Sequence, residues 1–153
     1  MEYFQYALLA IISYFGLFFG VLLALNSPEE LKDNKKNFVL IKYLMLILAC
    51  FGFFFYGLPR NYVLSFLSLF FLIYYVFTHN HNKDIFAYAF FSILFYSFPN
   101  LVVLTAILFF GFAEGSLVRY SLRNKHLKEA FGYVIKNYWV FLFLALLFPF
   151  ILT

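Results

Sequence analysis

Between Tyr3 and Leu25 the chain runs for 23 residues without a charged side chain. At 1.5 Å per residue, a helix of that length covers about 35 Å, more than the ~30 Å hydrocarbon core of a bilayer. No basic residue precedes the run, it is too long for a signal-peptide core, and no small-residue cleavage site follows. It therefore reads as a span, with an amino terminus short enough to be translocated. Comparable runs recur along the chain. Only 12% of the 153 residues are charged and 65% are hydrophobic, against about 25% and about 45–50% in soluble domains. A chain this short has too little interior to hide so much apolar surface, so lipid is its expected solvent.

Polar breaks divide the chain into spans of about 3–25, 38–56, 62–77, 83–98, 101–118 and 133–152. The expected fold is a single all-α transmembrane bundle, with no linker long enough to separate domains. In the first charged loop, Ser27 can cap a helix, Pro28 suits its first position and Glu30 completes a capping box. A short cytoplasmic helix is expected there. In the last charged loop, Leu127, Phe131 and Val134 are spaced i, i+4 and i+7. They predict an amphipathic surface helix, or an extension of the fifth span, ended by Gly132.

The segment 85–118 holds one charge, Glu114, and is broken at Pro99-Asn100. Read as a hairpin, the break gives six spans and puts ten of the 11 Lys and Arg residues on one side, with Arg60 alone on the other. Read as one kinked helix, it moves Arg119, Arg123, Lys125, Lys128 and Lys136 across, and the bias nearly disappears. The positive-inside rule selects the hairpin: a multi-pass protein of the cell membrane, both termini outside and the charged loops in the cytoplasm. The stretch Ile85–Phe98 is only 14 residues, about 21 Å of helix, so a tilted or re-entrant fourth segment stays open.

Chemistry within the spans is sparse. Glu114 is the one acid well inside a span. It reads either as a proton, cation or headgroup site, or as a structural partner for Lys42 or a loop arginine. Asn100, at the break, is a second polar position that can offer its amide to a ligand or simply make a turn. Gly16-x-x-x-Gly20 and Gly111-x-x-x-Gly115 allow close helix packing, within the chain or between copies. Lys35, Lys36, Arg119, Arg123, Lys125 and Lys128 border apolar runs. That placement suits lipid headgroups or a protein partner and accounts for the net charge of +4 without a nucleic acid.

His79 and His81, with Asp84 as the nearest carboxylate, make a poor metal set and read as a solvated turn. Cys50 has no partner for an internal disulfide. The 26 Phe and 13 Tyr residues admit an aromatic groove for a quinone or isoprenoid chain; AT-rich codon usage is the plainer explanation. No Ser/His/Asp set, paired carboxylates, phosphate loop or metalloprotease motif is present, so neither a cofactor nor a catalytic residue is indicated.

The Gly-x-x-x-Gly motif, followed by Ser27-Pro28-Glu29-Glu30-Leu31-Lys32 and Lys35-Lys36-Asn37-Phe38, resembles uncharacterised small multispanning membrane proteins of archaea. The resemblance covers the first span and its loop, with an echo in Gly115-Ser116-Leu117, and implies no activity. The expectation from the residues is a non-enzymatic membrane component that works by association, as a subunit, scaffold or homo-oligomer. The alternatives are a small transporter or channel using Glu114 and the Pro99-Asn100 break, and a lipid-modifying enzyme using His79, His81, Asp84 and Glu114.

Overall fold

The computed structural model describes residues 3–27, 29, 33–58, 61–78, 83–97, 99–122 and 126–151. Among them are six helices and no strand: α1 (Tyr3–Asn26), α2 (Lys35–Gly57), α3 (Tyr62–Phe77), α4 (Lys83–Ser97), α5 (Leu101–Ser121) and α6 (Leu127–Ile151). Four of them, α1, α2, α5 and α6, are long and apolar enough to cross a membrane; α3, also apolar, and α4 are shorter. Most of the helix expected from Pro28 onward lies outside the described residues, as do His79, His81, Arg123 and Lys125.

Side-chain pairings give the direction of every helix. Phe54 meets Phe66 between α2 and α3, Phe71 stacks on Phe90 between α3 and α4, and Phe91 meets Phe110 between α4 and α5. Together with Tyr75–Asp84 and Lys42–Glu114, these pairings make α2, α3, α4 and α5 successively antiparallel. Tyr88–Tyr138 and Tyr96–Phe148 make α4 parallel to α6. Gly16 against Leu108 and Gly20 against Phe112 make α1 parallel to α5. The Pro99-Asn100 break is therefore a reversal of direction, not a kink. The Asn100 side chain caps α5 by accepting from Val103 N at 2.8 Å. One end of the bundle carries the charged connections between α1 and α2, α3 and α4, and α5 and α6.

Helix α5 is the centre. It touches α1, α2, α4 and α6, and 61% of its most apolar 18-residue stretch is buried, against 22–44% for α1, α2 and α6. Its contact with α1 is backbone on backbone. A methyl placed on Gly16 would fall on the Leu108 carbonyl oxygen, one on Gly20 on that of Phe112, and one on Gly115 on that of Leu17. Ser116 Oγ then reaches across to donate to Gly20 O at 3.0 Å. The two glycine pairs thus meet each other within one chain, in parallel helices.

The last charged segment departs from expectation. Leu127–Phe131 forms no separate surface helix, and Gly132 does not break the chain: both belong to a continuous α6. The stripe of Leu127, Phe131 and Val134 turns inward instead, with Val134 fully buried and Phe131 stacked on Phe18 at 5.6 Å. A helical glycine costs only about 1 kcal/mol relative to alanine, which that packing readily offsets.

Candidate functional site

Lys42 lies seven residues inside the start of α2, at a depth where its ammonium has no water to turn to. It donates at 2.9 Å to Glu114 Oε2 of α5 and at 2.9 Å to Asp84 Oδ1 of α4. The other Glu114 oxygen, Oε1, accepts from the Tyr138 hydroxyl of α6 at 2.6 Å. The Tyr75 hydroxyl of α3 donates to Asp84. Five of the six helices thus meet at one polar knot. The side chains of Lys42, Glu114 and Asp84 are 8%, 7% and 15% exposed, Asp84 being the most open of the three.

Lys83, the neighbour of Asp84, completes the charge balance. Its ammonium donates to the Tyr43 hydroxyl at 2.8 Å and sits 4.8 Å from the centre of the Tyr75 ring, whose hydroxyl holds Asp84. Two lysines and two carboxylates therefore sum to zero. Neutrality is what an apolar interior demands, since an uncompensated charge there is costly.

The knot also explains why α3 and α4 are short. Lys42 is seven residues from the start of α2 and Glu114 seven from the end of α5, while Asp84 is only one residue into α4 and Tyr75 two from the end of α3. The α3 and α4 ends therefore stop about 8–9 Å below those of α2 and α5. Asp84, flanked by polar residues and readable as part of a wet turn, is carried down to the level of Lys42.

The remaining polar positions scatter. Asn100 sits at the opposite end of the bundle, occupied as a helix cap, and does not meet Glu114. Lys35, Lys36, Arg119 and Lys128 are at the charged end. Lys35 lies 5.1 Å over the Tyr120 ring, Arg119 donates to Leu122 O at 2.9 Å, and Lys36 and Lys128 are exposed. Tyr138, Tyr75 and Lys83 were absent from the sequence-derived site, and Asp84 entered it only in the lipid-modifying alternative, beside His79, His81 and Glu114. The usable signal was matched depth: a lysine seven residues into one span calls for acceptors at the same level in its neighbours.

No family model, curated protein or solved structure matches this chain.

Proposed function

We propose that the chain spans the membrane six times, with its charged end in the cytoplasm, and acts by association as a non-enzymatic subunit, scaffold or homo-oligomer. The observation that carries this reading is the mutual pairing of charges within the polar knot. Both Glu114 oxygens are engaged within the bundle, and the four charges of Lys42, Lys83, Asp84 and Glu114 cancel. Polar groups that satisfy one another lock helices together, whereas a transported ion needs open coordination. The outward faces are apolar, with large side chains such as Phe15, Phe19, Phe70 and Phe109 about half exposed or more.

Support for this sidedness comes from Lys35, Lys36, Lys42, Lys83, Arg119, Lys128 and Lys136, described basic residues that all lie in the half of the bundle with the charged connections. Mass measurement in mild detergent tests the association: a defined multiple of the 18.1 kDa chain, or a stoichiometric complex, is expected. A monodisperse monomer that co-purifies with nothing overturns it.

A transport reading draws on a different observation, the two carboxylates that share Lys42. It requires ion flux into liposomes that falls with Glu114→Gln. Flux indifferent to that substitution removes it.

A further inference from the structure

We propose that the polar knot is a protonation latch, in which Glu114 leaves Lys42 for the Tyr88 hydroxyl when it takes up one proton. Tyr88 lies on α4, one turn below Asp84. It is fully buried, yet its hydroxyl has no hydrogen-bond partner among the described residues. An unpaired hydroxyl in an apolar surround is costly, and phenylalanine would fill the same space without that cost. Room is kept for it as well: a methyl on Gly111 would collide with the Tyr88 oxygen. Gly111 is three residues before Glu114 on α5, and helical side chains lean towards the amino end of their helix. The Glu114 side chain therefore leans over the turn that Gly111 keeps open. Cβ positions three residues apart on a helix are about 5–6 Å from each other, so the Tyr88 oxygen lies no more than about 8 Å from Glu114 Cβ. Tyr138 bridges the two residues. Its ring meets that of Tyr88 at 5.1 Å, and its hydroxyl holds Glu114 Oε1 at 2.6 Å.

The surrounding charges supply the reason to move. Around Glu114 stand Lys42 from α2, Asp84 and Tyr88 from α4 and Tyr138 from α6, with Tyr75 of α3 on Asp84. Helix α1 has no charged residue, and its Tyr14 hydroxyl donates to Val134 O at 3.5 Å. Lys83 bonds the Tyr43 hydroxyl and Thr78 O, so among the described residues Lys42 is the one ammonium in contact with the two carboxylates. Two carboxylates on one ammonium leave a negative charge unmatched at contact distance, and an apolar interior favours its neutralisation. A proton on Glu114 achieves that. Oε2 releases Lys42, takes the proton from water at the charged end, and donates it in a hydrogen bond to the Tyr88 oxygen, while Oε1 stays on Tyr138. Lys42 is left paired one to one with Asp84, and the Tyr88 hydroxyl gains a partner. The surplus positive charge falls to Lys83, partly exposed at the first residue of α4. Asp84 has no spare hydroxyl beside it, since Tyr75 already donates to it. The swap removes the ion pair between α2 and α5 and so loosens their charged ends from each other.

The inference goes beyond association and needs neither it nor the sidedness. Infrared spectroscopy of the full chain in liposomes tests it. Acidification should raise a carboxylic-acid carbonyl band that shifts on ¹³C-glutamate labelling and is lost in Glu114→Gln. In Tyr88→Phe the band should move to higher frequency, having lost its hydrogen bond, and appear only at lower pH. If Glu114→Gln fails to fold, the isotope label and Tyr88→Phe identify the band without touching Glu114. A band indifferent to the glutamate label places the proton on Asp84 and overturns the proposal. So does a glutamate band that Tyr88→Phe leaves unmoved, or the absence of any such band. Thermal unfolding gives a second measure. Tyr88→Phe should leave the unfolding temperature unchanged or raise it at neutral pH, where the hydroxyl is unpaired. In acid, where the hydroxyl holds Glu114, the same substitution should lower it. A shift of the same sign and size at both pH values is that of a packing residue and overturns the latch.

Discussion

The ammonium of Lys42 is 2.9 Å from Glu114, an ion pair buried within the broad contact between the second helix and the central fifth. Removing one partner of a buried pair costs more than removing both, because the survivor is left charged and unpaired in an apolar surround. Lys42→Met should therefore destabilise by about 3–5 kcal/mol, leaving two carboxylates without their shared donor. At about 2–4 °C per kcal/mol for a chain of this size, thermal unfolding in detergent should drop by roughly 6–20 °C. Adding Glu114→Gln to Lys42→Met should recover part of that loss. A double variant less stable than the sum of the two single ones would mean that the pair is not the unit of stabilisation.

The glycines divide into those that touch and one that does not. A methyl on Gly16 or Gly115 would meet a backbone carbonyl of the opposing helix, which can retreat only if α1 and α5 separate. Gly16→Ala and Gly115→Ala should each destabilise by about 1–3 kcal/mol or more, as for other overpacked cores, and lower the unfolding temperature accordingly. Gly132 has open space around it, so Gly132→Ala should be neutral or stabilising by up to about 1 kcal/mol. Equal effects at all three positions would deny the close α1–α5 contact.

What could be read in advance follows from which forces are local. Apolar runs and their polar breaks mark where helices begin and end to within a few residues, as at Tyr62–Phe77, because hydrocarbon length and backbone bonding act along the chain. Pro99-Asn100 was legible as a reversal only through the distribution of lysines and arginines. The depth of Asp84 was hidden because the residues before it are polar and its level is set elsewhere, by Tyr75 at the end of α3 packing on Tyr43, eight residues into α2. Gly132 misled for the same reason. Its local preference is weak, and the burial of Val134 and Phe131 against the bundle overrides it. The two glycine motifs were visible, but their mutual pairing depends on α1 and α5 being parallel, which no local signal states.

Asn100 caps the central helix at the tight α4–α5 reversal, so its side chain should matter out of proportion to its exposure. Asn100→Ala should cost about 1 kcal/mol, while Asn100→Asp, which keeps the acceptor, should cost less. Asn61 offers a matched comparison, since it caps α3 by accepting from Leu64 N at 3.1 Å. Thermal unfolding of the three single variants would show it. An alanine at position 100 that is silent while Asn61→Ala is costly would assign the α5 start to packing alone.

Sidedness can be read with a single reporter, because the one native thiol is out of reach. Cys50 is fully buried between α2 and its neighbours, so an intact protein should resist maleimide. Asn61 lies at the turn between α2 and α3, and His126 just before α6, at opposite ends of the bundle. Both are exposed. In intact cells a membrane-impermeant maleimide should label Asn61→Cys and leave His126→Cys untouched. Permeabilising the cells should then expose His126→Cys as well. The reverse pattern would invert the orientation that the basic residues imply. Labelling of both in intact cells would mean that α3, α4 and α5 do not carry the chain across an odd number of times.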